Sequence, residues 1–218
     1  MYKYILFDLD GTLSDPKPGI TKCVQYALKA FGIDEPDLDK LEPFIGPPLA
    51  DSFMEFYGMS REQAERAIEK YRERFSVTGL YENELYPGIK EMLADLKAEG
   101  CRLGGASSKP EFFVKKILEY FEIDGYFDAV VGSELNGTRV KKDEVVQEAL
   151  KRLFGEAEVQ YDRTVMVGDR KFDVIGAKAM GLHSVGVRYG YAQGSELEES
   201  GADHVASDVK ELCRILLA

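Results

Sequence analysis

Asp8 and Asp10 follow directly on an apolar run, Tyr4 to Phe7, in the stretch ILFDLDGT. Residues two apart in an extended chain point the same way, so the two carboxylates begin on one side, a few ångströms apart. Like charges at the mouth of a low-dielectric interior repel, and each resists losing its water. A fold retains such a pair where a positive charge sits between the carboxylates or where a reaction uses both. Other apolar runs also end in polar groups. CRLGGA leads to Ser107, Ser108 and Lys109, and the helix after FDAVVG begins near Lys141 and Lys142. TVMVG leads to Asp169, with Asp173 about one helical turn later on the same face.

Taken singly, each has an ordinary reading. Asp169 suits a helix N-cap, Ser107 suits helix entry, and Lys142 suits a wet surface. The Asp8–Asp10 pair does not reduce this way, because a cap needs only one carboxylate. Ligands bind beyond the carboxyl ends of strands in an open parallel sheet, and these groups would converge there.

The elements that must position them are legible as alternating strands and helices. After the first strand, GITKCVQYALKAFG has helical spacing, and Ser60 with Gln63 resembles a capping box opening REQAERAIEKYRERF. Pro47 and Pro48 suit the start of LADSFMEFYG. From Tyr86 onward, helix and strand alternate to the end of the chain, which indicates α/β architecture with a doubly wound parallel sheet, a Rossmann-like core. Residues 1–14 and 84–218 are assigned to this core, and 15–83 to an inserted, all-helical domain. Helical phase chooses between two lysines. Lys142 leads the apolar stripe Val145, Val146, Ala149, Leu150 and Leu153, whereas Lys141 leads toward Glu148 and Arg152. Lys141 is the alternative should the register slip.

Composition narrows the function. The balance of 28 basic and 39 acidic residues gives a net charge of −11 without a Lys/Arg stripe, a poor match to a nucleic-acid polymer. No apolar run approaches membrane-spanning length, and the N-terminal stretch lacks a signal-peptide layout. Cys23, Cys101 and Cys213 form no CxxC pair and read as reduced thiols of a cytoplasmic protein. Only His183 and His204 are present, which excludes a histidine-rich zinc site. GSELNG is followed by Thr138 and Arg139 rather than the Lys-Ser/Thr of a P-loop. DLDGTLSDPKPG has its glycine at the wrong position for a calcium loop.

DLDGT, Ser107, Lys142 and GDRKFD, in that order, resemble the four motifs of the haloacid dehalogenase superfamily. The helical insert resembles its C1-type cap. FIGPPL, LYPGI, GDRKFDVIGA and GVRYGY look most like the phosphoglycolate phosphatase and 5′-nucleotidase-like branch. The resemblance implies a Mg²⁺-dependent phosphomonoesterase. Asp8 is then the nucleophile that forms an aspartyl-phosphate, and Asp10 the general acid and later the base. Asp8, the Asp10 carbonyl and Asp169 hold Mg²⁺, with Asp173 in support. Ser107 and Lys142 hold phosphate oxygens, and backbone N–H groups around Leu9 and Ser108 add donors. An acid at position 10 separates phosphate esters from carbon–halogen substrates, since halide leaves without a proton. The expected partner is a small phosphorylated metabolite, phosphoglycolate or a nucleoside 5′-monophosphate, with monomer as the default and dimer as the alternative. Rival readings are a phosphomutase resembling β-phosphoglucomutase and a binding protein without turnover.

Overall fold

The computed structural model describes residues 1–218, and it divides into two compact units: Met1–Asp15 with Leu85–Ala218, and Pro16–Glu84. The first unit is built on a six-stranded, all-parallel sheet. Its strands are β1 (Tyr4–Phe7), β4 (Arg102–Pro110), β5 (Ala129–Ser133), β6 (Thr164–Gly168), β7 (His183–Val187) and β8 (His204–Ala206), in the order β5-β4-β1-β6-β7-β8. The α/β doubly wound fold read from the sequence is therefore present. Strand β1 is short, with Tyr4 partly buried and Ile5, Leu6 and Phe7 fully buried, as a central parallel strand requires.

Register decides which residues meet. Tyr4 of β1 aligns with Arg102 of β4 and with Thr164 of β6, and Phe7 aligns with Gly105 and Val167. The next residues along these three strands are Asp8, Ala106 and Gly168, so Asp8, Ser107 and Asp169 emerge at one edge. The chain runs outward from β1 to β4 and β5, then returns to β6 on the opposite side of β1, which makes this edge a topological switch point.

The linking helices are α4 (Ile89–Ala98), α5 (Glu111–Tyr120), α6 (Lys142–Phe154), α7 (Lys171–Ala179), α8 (Glu196–Glu199) and α9 (Val209–Leu217). Helix α6 buries the stripe expected of it: Val145, Val146, Ala149, Leu150 and Leu153 pack in one cluster with Leu6, Ala106, Val131, Met166 and Ala177. Burial of each larger side chain contributes roughly 1.5–3 kcal/mol. One strand differs from expectation. Strand β4 extends through Ser107, Ser108 and Lys109 to Pro110, whereas the sequence suggests a stop at Ala106. Its pairing with β5 is interrupted between Ala106 and Pro110, so the polar residues lie in an irregular final stretch of strand.

The second unit, Pro16–Glu84, carries α1 (Lys17–Ala30), α2 (Leu49–Tyr57), α3 (Arg61–Phe75) and two short 3₁₀ turns, Leu38–Phe44 and Gly79–Tyr81. Helix α3 begins with the capping box: Gln63 N–H donates to Ser60 Oγ at 3.2 Å and Ser60 N–H donates to Gln63 Oε1 at 2.8 Å. Pro48 stands immediately before α2. The short strands β2 (Ser14–Asp15) and β3 (Glu84–Leu85) pair with each other. No helix in the chain is long and apolar enough to cross a membrane.

Candidate active site

Asp8 continues β1 by one residue, its N–H donating to Val167 O at 2.9 Å. The chain then turns sharply. The N–H groups of Thr12, Leu13 and Ser14 all donate to Leu9 O at 2.9–3.2 Å, and Gly11 adopts φ +80°. That conformation alone favours glycine, and a second constraint reinforces it. A Cβ on Gly11 would lie 2.0 Å from Asp169 Oδ2. From the other side, a Cβ on Gly190 would lie 2.5 Å from Asp169 Cβ, and Tyr191 N–H donates to Asp169 Oδ2 at 2.7 Å. Asp169 is thus clasped between two bare stretches of backbone.

Asp173 sits in the first turn of α7, where its Oδ2 accepts from Arg170 N–H at 3.1 Å. Its carboxylate fills the space left by Gly168, whose Cβ would come within 2.1 Å of Asp173 Cγ. Lys142, the first residue of α6, reaches across to place Nζ 2.9 Å from Asp8 Oδ1, 2.7 Å from Asp173 Oδ1 and 3.0 Å from Ala106 O. Lys141 is exposed, so the structure sends the inward-phased lysine to this cluster.

Asp8, Asp169 and Asp173 are buried and offer carboxylate oxygens that all lie within 4.8 Å of one another. Asp10 stands slightly apart from this trio. Its Oδ2 pairs with Lys109 Nζ at 2.5 Å, both side chains being nearly buried. Ser107 is buried at the irregular end of β4 and accepts from Lys109 N–H at 3.3 Å. Leu9 is buried in the core, and Ser108 is half-buried beside Ser107.

The electrostatics follow from burial and crowding. Burial pushes the Asp169 carboxyl well above the usual carboxylate range, and the charges of Asp173 and Asp8 push further. Asp173 is pushed up to about 6, chiefly by burial, although Lys142 pulls against this. Asp10 is also raised by burial, against the opposing pull of Lys109. Burial pulls Lys142 down, yet Asp173 and Asp8 outweigh it and hold the ammonium above its ordinary value. Asp169 Oδ1 and Asp10 Oδ1 are buried without a hydrogen-bond partner. A trio of clustered carboxylates, two of them on one ammonium, with an orphaned Asp169 oxygen among them, makes a donor set of hard oxygens suited to a divalent cation such as Mg²⁺.

Sequence reasoning missed the partners that hold these groups. Lys109 follows the second motif in sequence but its pairing with Asp10 spans 99 residues. Tyr191 acts through its backbone N–H, which no side-chain pattern announces. The Ala106 carbonyl that receives Lys142 is equally silent in the sequence.

Residues 5–187 match the family described as haloacid dehalogenase-like hydrolase. The chain is 45% identical to a 5′-nucleotidase of Pseudomonas aeruginosa, over 99% of this chain and 96% of that protein. It is 37% identical to the tyrosine-protein kinase PtkA of Mycobacterium tuberculosis, over 95% of this chain and 70% of that one. Among solved structures, a predicted phosphatase from Clostridium acetobutylicum superposes with a TM-score of 0.94 at 45% identity, covering 100% of this chain and 99% of that one. The motif order, the parallel sheet with its acidic switch point and these similarities agree: the chain belongs to the haloacid dehalogenase-like hydrolases.

Proposed function

We propose that the protein is a Mg²⁺-dependent phosphomonoesterase acting on a small phosphorylated metabolite, with nucleoside 5′-monophosphates foremost and phosphoglycolate next. The observation that carries this reading is the convergence of Asp8, Asp169, Asp173 and Lys142 at the end of β1, with Asp10 beside them. The similarity to a 5′-nucleotidase supports the choice of substrate.

Asp8, Asp169, Asp173 and the Asp10 carbonyl are the residues that would hold Mg²⁺. When bound, the ion supplies positive charge that offsets repulsion between carboxylates and the substrate phosphate. The chain's own residues then divide the work. An Asp8 carboxylate oxygen attacks phosphorus, forming an acyl-phosphate as the bond from phosphorus to the ester oxygen breaks. Asp10, kept protonatable by its buried setting, gives a proton to the departing alcohol. A water then attacks the phosphorus of the acyl-phosphate and loses its proton to Asp10, which frees inorganic phosphate and restores Asp8. Ser107 and Lys142 hold oxygens of the phosphoryl group, and Lys142 also keeps Asp8 oriented. The helical unit Pro16–Glu84 follows directly on the turn that bears Asp10, and we assign it the role of a cap that reads the leaving group.

The test is phosphate release from a panel of monoesters with Mg²⁺ and with chelator, using wild type and Asp8→Asn. Release that needs Mg²⁺ and disappears in Asp8→Asn is expected; release that persists in Asp8→Asn overturns the mechanism. The similarity to a tyrosine-protein kinase favours one second reading, phosphoryl transfer from ATP to a tyrosine hydroxyl. Supplying γ-labelled ATP with a tyrosine-bearing protein separates the two, because only the second leaves label on the acceptor.

A further inference from the structure

Asp10 must be aimed at a leaving group although it lies buried beside other carboxylates. We infer that Lys109 is the positioning residue for Asp10, an inference that rests on the phosphomonoesterase reading. Lys109 Nζ lies 2.5 Å from Asp10 Oδ2, and the two side chains are 8% and 10% exposed. Lysine gives up that much water only where a paired charge compensates. Its backbone is fixed as well, since Lys109 N–H donates to Ser107 Oγ in the irregular end of β4. One short segment therefore carries both the hydroxyl assigned to the phosphate and the ammonium that grips the acid.

The grip is one-sided. Lys109 occupies Oδ2, while Oδ1 is buried without a hydrogen-bond partner. Oδ1 is therefore the oxygen presented to the leaving group. As the bond from phosphorus to the ester oxygen breaks, the proton passes from Asp10 Oδ1 to that oxygen, which departs as a neutral alcohol. Asp10 is left as a carboxylate, and the charge it gains already faces the Lys109 ammonium. Lys109 thus sets the direction of the acid, without touching the reacting atoms.

The experiment compares two substrates in wild type, Lys109→Met and Asp10→Asn. One is a nucleoside 5′-monophosphate, whose alkoxide must be protonated to leave. The other is p-nitrophenyl phosphate, whose phenolate leaves unaided. The quantity read is kcat/KM, which covers steps only up to departure of the alcohol and excludes later hydrolysis of the acyl-phosphate. General acid catalysis is worth about 10²–10⁴-fold, and loss of aim should remove a substantial part of it. Lys109→Met is expected to lose at least about tenfold more on the nucleotide than on the aryl ester, with Asp10→Asn showing the same bias more strongly. Equal losses on both substrates, or no loss, in Lys109→Met while Asp10→Asn keeps its bias overturn the Lys109 inference alone. Equal losses in Asp10→Asn overturn the acid reading itself, and the inference with it. If the unpaired Asp10 unfolds Lys109→Met, Lys109→Gln, which keeps a donor for folding but loses the charge and the full reach of the lysine stem, is expected to show the same bias toward loss on the nucleotide, and equal losses on both substrates in it overturn the inference.

Discussion

Replacing Lys142 with methionine removes the ammonium between Asp8 and Asp173 while keeping most of the side chain's length. The size of the effect can be worked from the distances. With an effective dielectric constant near 20, two unit charges within 4.8 Å repel by at least about 3.5 kcal/mol, so three mutually close carboxylates carry at least about 10 kcal/mol of repulsion when all are ionised. Lys142 stands 2.9 Å and 2.7 Å from two of them, and each contact returns about 6 kcal/mol. Attraction and repulsion are thus nearly balanced with the lysine present and badly unbalanced without it. Proton uptake by the carboxylates relieves part of the excess, leaving the roughly 3–5 kcal/mol typical of breaking a buried ion pair. For a chain of this length that corresponds to a fall in Tm of about 6–20 °C. The assay is thermal melting at pH 8 in chelator and in excess Mg²⁺, with Lys141→Met as the control, since Lys141 is exposed. A large fall in chelator, partly recovered by Mg²⁺ because the ion restores positive charge, is the expected result. A fall of under about 2 °C in chelator would refute this account of the cluster.

If Mg²⁺ binds as proposed, the same carboxylates should make its effect on stability depend on pH. Asp173 has a folded value of about 6 against an ordinary 3.8, so the folded state holds the extra proton between those values. Through this group, metal-free stability falls as pH rises across that window and is flat above it. Mg²⁺ competes with that proton, so its gain in Tm should be larger at pH 8 than at pH 5; an equal gain at both would separate the ion from this cluster. Gly190→Ala would drive a methyl group against Asp169, and it should weaken Mg²⁺ binding by about tenfold or more, measured by calorimetry. Ser60→Ala removes the cap of α3 and should cost about 1 kcal/mol, or about 2–4 °C in Tm. Activity per folded molecule should be unchanged in that variant.

What could be read from the sequence divides along a physical line. Strands and helices announce themselves by periodicity, so the parallel sheet and the stripe on α6 were legible, and with them the inward direction of Lys142. Asp8 and Asp10 were legible because paired carboxylates at the end of an apolar run conflict with burial unless they serve some purpose, and Asp169 and Asp173 because their strand end and helical spacing fall at the same edge of the sheet. Lys109 was visible as a strand-end residue, yet its partner depends on an irregular register at the end of β4 that local spacing does not encode. The hold on Asp169 by the Tyr191 N–H and the Gly190 backbone was hidden for a related reason. Backbone groups are common to every residue, so only the folded path of the chain reveals which ones count.

The glycines at 11, 168 and 190 have a consequence for the thermodynamics of ligand capture. Because main chain crowds Asp169 and Asp173 so closely, these side chains lose most of their rotational freedom when the protein folds. Little such freedom would then remain to be frozen out on binding of an ion. Association at this edge should therefore proceed with little accompanying change in side-chain mobility, as a dock already cut to shape.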